Sequence, residues 1–163
     1  MGAGKTTVGR ALAKRLLLEF YDSDKEIESR TGVSIPTIFE IEGEDGFRAR
    51  EAKMIEHLSQ LSGCVVATGG GAVLRKENRD NMKLNGIVVY LDAFPQALWE
   101  RVRHDRNRPL LQVVDPLLKL KELHAHRDPL YREVADFVVD GSRLSATAVL
   151  QLLLREVGER WKP

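Results

Sequence analysis

The sequence offers little from which a disulfide framework, a membrane anchor or a polyanion-binding surface could be built. Its one cysteine, Cys64, cannot form an internal disulfide. It lies in the apolar run Gly63-Cys64-Val65-Val66-Ala67 and reads as a small buried hydrophobe rather than a nucleophile. No apolar stretch approaches the roughly 18 residues that a membrane span requires. Lys and Arg number 25 against 24 Asp and Glu, for a formal net charge of +1. Global electrostatics therefore gives no reason to expect nucleic acid or an anionic membrane as a partner. There is no signal-peptide pattern, internal repeat, low-complexity tract or linker. The expected setting is the cytoplasm. What remains is 163 residues, 43% hydrophobic and 30% charged, which is the profile of one globular domain over 1–163 with a proper core.

Positive charge matters locally, and first of all at Met1-Gly2-Ala3-Gly4-Lys5-Thr6-Thr7. Gly-Lys-Thr-Thr opening a helix is the back half of a phosphate-binding loop. Glycines let successive backbone N–H groups turn inward on an anion, and the following helix presents its positive end to it. Lys5 supplies a point charge for the β/γ-phosphates and Thr6 a hydroxyl for Mg²⁺. The full loop reads G-x-x-x-x-G-K-[ST], so its first glycine, with the strand that feeds it, would precede Met1. Taken alone, Gly-Lys-Thr is better read as a plain helix cap, since the tripeptide occurs by chance in many proteins.

The rest of the chain alternates short apolar strands with helices. Val8, Ala11, Leu12 and Leu16 recur at helical spacing to about Leu18. Phe20-Tyr21 reads as a strand ending at Asp22-Ser23-Asp24. Ser23 and Glu26 form a capping box that starts a helix ending at Gly32, so Asp22 and Asp24 are also readable as plain first-turn acids. Ser34-Ile35-Pro36 starts a helix that stops near Gly43, and a longer one carries Phe47, Arg48, Glu51, Met54, Ile55 and Leu58. The strand 63–68 runs into Gly69-Gly70-Gly71, more glycine than a plain turn needs. Ile87–Leu91 is a strand, Pro95 opens a helix, and 104–116 is an arginine-bearing loop with Arg106 and Arg108. Residues 117–126 are helical, Arg127–Arg132 leads into a further helix, Phe137–Val139 is the last strand, and Ser145 caps the final helix. Alternation of this kind argues for a parallel sheet covered on both faces. In such sheets ligands gather outside the carboxyl ends of the strands, where the Gly-Lys-Thr loop, the aspartates and the glycines all fall.

Met1–Thr7, Asp22–Asp24, Phe47-Arg48, Gly69–Gly71, Arg108–Leu111 and Arg127–Arg132 stand in order at compatible spacing. On these motifs the whole chain resembles shikimate kinase, a small relative of the nucleoside monophosphate kinases. The resemblance implies an α/β, three-layer P-loop kinase fold. Its five-stranded parallel sheet would lack here the first, central strand. The phosphate loop would occupy 1–7, the substrate-binding region about 23–55 and a lid about 104–116.

The activity so implied is ATP-dependent phosphorylation of shikimate to shikimate 3-phosphate, towards chorismate and the aromatic amino acids, by a monomer. Gly2, Ala3, Gly4, Lys5, Thr6 and Thr7 would hold the ATP phosphates, with Thr6 on Mg²⁺ and Asp22 supporting the metal through water. Asp24 would face the attacking hydroxyl. Arg48 and Arg127 would grip the carboxylate, and Gly70 and Gly71 would let the backbone approach the ring hydroxyls. Lys5, Asp24 and Arg108 would serve catalysis, Arg108 closing on the transferring phosphate, while Arg101 and Arg143 would flank adenine. Two other readings stand beside it: a kinase for another polyhydroxy acid such as gluconate, and an inactive nucleotide-binding fragment. The absent strand leads to one further expectation, that the chain starting at Met1 folds poorly and regains a cooperative melt when extended upstream by about a strand's length.

Overall fold

In the computed structural model, which describes residues 2–105 and 108–161, four short strands alternate with seven helices among the described residues. In chain order they are α1 (Lys5–Leu16), β1 (Glu19–Asp22), α2 (Ser23–Thr31), α3 (Ile35–Ser59), β2 (Cys64–Ala67), α4 (Lys76–Asn85), β3 (Val89–Asp92), α5 (Pro95–Val102), α6 (Pro116–Val134), β4 (Phe137–Asp140) and α7 (Ala146–Arg160).

All pairing is parallel. β1 runs beside β2 with Glu19 opposite Cys64, and β3 beside β4 with Val89 opposite Phe137. Successive side chains of a strand point to opposite faces, and here both faces are covered. Val65 packs under α1 and α7 with Val8, Leu12, Val149 and Leu153. Its neighbour Val66 joins Tyr21 against Ile27, Ile38, Phe47 and Met54 of α2 and α3. A third cluster, with Leu98, Val102 and Leu120 at its centre, seats α5 on α6. Two-sided burial explains why the strands read as unbroken apolar runs. Each fully buried Leu or Ile in these layers contributes about 1.5–3 kcal/mol.

The resemblance implies a five-stranded sheet that lacks its central strand here, and the strands found are consistent with that core. The four strands make two separate pairs, β1–β2 and β3–β4. Side-chain packing joins them where hydrogen bonds do not: Val65 of β2 and Val89 and Leu91 of β3 meet in the cluster under α1.

Two local expectations need correction. The N-cap of α2 is Asp22 rather than Ser23: its carboxylate accepts the Asp24 and Lys25 N–H groups. Ser23 is wholly buried and turned towards the glycine turn. Arg127–Arg132 does not lead into a separate helix, because α6 runs through it with Pro129 inside. Packing of Leu120, Arg127 and Val134 on one side of α6 outweighs the single N–H that proline removes. α4 went unforeseen, since its only buried residue is Asn78 and its apolar side chains are just Met82 and Leu84. The Ser34 and Ser145 caps form as expected, and the chain bends at Gly43 (φ 70°, ψ −175°) within α3.

Candidate active site

At the amino end of α1, Gly2 (φ 68°) and Gly4 (φ 86°) adopt the left-handed conformation that only glycine takes readily. A Cβ on Gly2 would also lie 2.7 Å from Val102 Cγ1. Lys5 is the first helical residue, and no acidic side chain in the first turn offsets the helix's positive end. Thr6 Oγ1 donates to Asp22 Oδ2 at 2.7 Å, so the hydroxyl and carboxylate expected near a metal are in direct contact. Arg101 ties this loop to the end of β4, donating from Nη2 to Gly141 O (2.9 Å) and from Nη1 to Gly2 O (3.4 Å). Burial lowers the Lys5 pKa; the Asp24 carboxylate opposes that shift and the Arg108 charge adds to it.

Asp24 begins α2 beside the cap, and its Oδ1 is buried without a hydrogen-bond partner. Desolvation, then the neighbouring Asp22 charge, raises its pKa, against the pull of Lys5 and Arg48. Gly69 holds the turn against α2 by donating its N–H to Ser23 Oγ at 3.1 Å. A Cβ on Gly69 would stand 2.8 Å from both Asp24 Oδ1 and Glu51 Oε1, so the glycine turn lies directly on the two carboxylates.

Arg48 is buried in α3, and Glu51 one turn on is wholly buried beside it. Arg48 Nη1 donates to Glu51 Oε2 at 2.7 Å, while its Nε and Nη2 reach Glu44 Oε1 at 3.3 and 3.0 Å. The guanidinium lies on the Gly71 backbone so closely that a Cβ there would overlap it. The role expected for Gly71, admitting ring hydroxyls, is thus joined by a firmer one: it makes room for Arg48. Arg127 of α6 is also buried, and its Nε has no hydrogen-bond partner. One turn later, the Tyr131 hydroxyl donates to the Gly70 carbonyl, fixing the arginine's helix to the glycine turn. Tyr131 stacks on Tyr90 at 4.7 Å, and Arg132 clamps Asp92 and Asp128 at the end of β3. Asp92, His124 and Asp128 lie close enough together for a metal, but these carboxylates already accept from Arg132 and Tyr90.

One cleft of about 770 Å³ gathers nearly all of these groups, a volume typical of small-molecule sites. Gly2, Gly4, Lys5, Thr6 and Thr7 line it together with Asp22, Asp24, Arg48, Gly70, Gly71 and Arg127. Arg101 and Arg108 line it too, whereas Ala3 lines an adjoining, more apolar cavity that shares Lys5, Gly70 and Arg127 with it, and the exposed Arg143 is not among the lining residues. Arg108 Nε donates to Asp105 Oδ2 at 2.9 Å, and Leu111 is anchored in the α5–α6 cluster. Met1 and Arg106 lie outside the described residues. Glu51 and Tyr131 were missed as site residues. The Arg48-x-x-Glu51 spacing places the first pair on one helix face, whereas no local signal links Tyr131 to Gly70.

The buried carboxylates make stability fall with pH. Asp24 and Glu51 both have pKa values above their ordinary 3.8 and 4.5, burial being the largest cause. The folded chain therefore holds protons that the unfolded chain has released, and stability is lost as pH rises from the ordinary carboxylate range through the raised values. Asp24→Asn is expected to melt above the wild type at pH 7, with the gap closing in acid. Thermal melts across pH test this, and a variant less stable at pH 7 would contradict it.

A phosphate loop facing buried arginines and a buried carboxylate across one cleft is the arrangement expected of the resembled family, and comparison with known proteins agrees. The family model described as shikimate kinase matches residues 1–157. The shikimate kinase of Dechloromonas aromatica is 64% identical over 156 residues, covering 96% of this chain and 85% of the relative. That of Thiobacillus denitrificans is 60% identical, covering 94% and 84%. The solved shikimate kinase from Acinetobacter baumannii in complex with shikimate superposes with a TM-score of 0.94 at 48% identity, over 99% of this chain and 91% of that one. Neither a kinase for another polyhydroxy acid nor a non-catalytic nucleotide binder gains support from these relatives. Matched along nearly its whole length in sequence and in fold, the chain belongs to the shikimate kinase family.

Proposed function

We propose that this shikimate kinase divides the transfer of the ATP γ-phosphoryl group to the shikimate 3-hydroxyl among the residues of the single cleft. The observation that carries the assignment is that residues lining the cleft hold buried polar atoms without partners, Asp24 Oδ1 and Arg127 Nε among them. A buried polar group left unpaired costs about 1–3 kcal/mol; a substrate with a carboxylate and a hydroxyl relieves both.

Arg127 and Arg48 take the carboxylate, for which planar guanidinium forks are suited. Asp24 accepts a hydrogen bond from the 3-hydroxyl and takes its proton as the oxygen bonds to the γ-phosphorus and the bond to the ADP oxygen breaks. Its raised pKa makes it a better proton acceptor once ionised. The backbone of Gly2–Thr7 and Lys5 hold the phosphates, and Arg108 meets the charge that spreads over the moving group. Arg101, fixed by Gly2 and Gly141, borders the nucleotide side; Arg143 would have to swing in to reach it. Thr6 and Asp22 present hard oxygen donors in mutual contact, a set that fits Mg²⁺. When bound, Mg²⁺ neutralises charge on the β- and γ-phosphate oxygens.

Shikimate should be turned over and its carboxamide ignored. Arg127→Lys should raise the KM for shikimate roughly tenfold or more, the loss of about one charge-assisted hydrogen bond, with the KM for ATP nearly unchanged. Equal turnover of acid and amide would remove the arginines from this role.

A further inference from the structure

Arg48 carries two carboxylates of different kinds. Glu51 is completely buried and takes Nη1 at 2.7 Å. Glu44 has a side chain 46% exposed and uses a single oxygen to accept from both Nε and Nη2, at 3.3 and 3.0 Å. Those two donors form the side edge of the guanidinium, the edge that two oxygens of one carboxylate can share in a bidentate pair. Glu51 alone balances the Arg48 charge. With Glu44 added, the group that must receive an anion already sits between two.

We infer that Glu44 occupies the substrate's place on Arg48 in the free enzyme and is displaced from it by the shikimate carboxylate. The inference rests on Arg48 being a carboxylate-binding residue, as argued above. Two features of the chain make the exchange feasible. Glu44 follows Gly43, where α3 leaves helical geometry (φ 70°, ψ −175°), so its backbone is not locked into an unbroken helix. Its ion pair is partly solvated, and such pairs hold weakly. Glu51, buried in the continuous part of α3, keeps the guanidinium oriented against Gly71 while the outer carboxylate changes. Glu44 thus sets the affinity of the acid by competition: apparent binding is weakened by the fraction of Arg48 that it holds.

The test uses Glu44→Gln and Glu44→Ala in the full chain. Steady-state kinetics and calorimetric titration with shikimate provide the readout, with the KM for ATP and the thermal midpoint as checks on folding. Removing the competitor should lower the KM and Kd for shikimate roughly two- to fivefold, the range for a partly exposed ion pair. Weak binding of the shikimate carboxamide should not change. Shikimate affinity that is unaltered or weakened in both variants, with ATP affinity normal, would overturn the inference and leave Glu44 an idle or orienting contact. Failure of the wild type itself to phosphorylate shikimate would instead count against the assigned reaction, so the two failures are distinguishable.

Discussion

Asp24→Asn is expected to lower kcat by about 10²–10⁴-fold, the usual worth of general-base assistance, while leaving the KM for ATP close to the wild-type value. The substitution keeps the shape of the side chain at the start of α2 and removes its charge and basicity. Asp22 caps the helix, accepting the Asp24 and Lys25 N–H groups, so the cap survives the change. The oxygen at the Gly69 turn has no hydrogen-bond partner to lose, and the attraction of the charge to Lys5 and Arg48 is smaller than its desolvation cost. Loss of turnover should therefore accompany a gain in stability at neutral pH, the trade-off expected where a functional group is held in a costly environment. Steady-state kinetics and melts on one preparation check both halves. Near-normal turnover would reduce Asp24 to a helix-end acid.

Gly71→Ala is expected to raise the KM for shikimate by about 10²-fold, the size of effect that a 1 Å misplacement in a site can have. The backbone at Gly71 (φ −92°, ψ −1°) is open to any residue, so strain is not the reason. The new methyl group would overlap Arg48 at Nη1, Cζ and Nη2. The guanidinium would have to slide along the carboxylates of Glu44 and Glu51, away from its seat on Gly71. A side chain's far end can shift at modest energetic cost, so the thermal midpoint should change far less than substrate binding. ATP affinity should hold, since the phosphate loop lies on another element. A KM for shikimate within about threefold of wild type would show that the seat on Gly71 does not govern how Arg48 meets its ligand.

The sequence showed the site unevenly, and the reason is range. Gly4-Lys5-Thr6 could be read because loop and helix end are contiguous, and the positive φ of Gly4 with Lys5 opening α1 follows from those neighbours. The Ser34 and Ser145 caps were legible on the same ground, each bonding three residues ahead. Even Asp22 followed local logic, although the cap lies one residue earlier than the Ser23–Glu26 spacing suggested. The resemblance then supplied Arg48, Arg127 and Arg108 as an ordered set, and the cleft brings all three together.

By itself, then, the sequence determined the phosphate loop, the alternation of apolar strands and helices, and which charged residues would gather at the strand ends. These are written in neighbours three or four residues apart and in apolar runs. Tertiary structure alone decided that Ser23 bonds Gly69 across 46 positions, that Tyr131 holds Gly70 across 61, and that Gly71 is the seat of Arg48. It also decided that α6 continues through Pro129 and that Arg143 stays outside the cleft. Such outcomes depend on which surfaces meet and how much burial each contact gains, and no periodicity or cap signal reports a contact between residues that become neighbours only when the chain has folded.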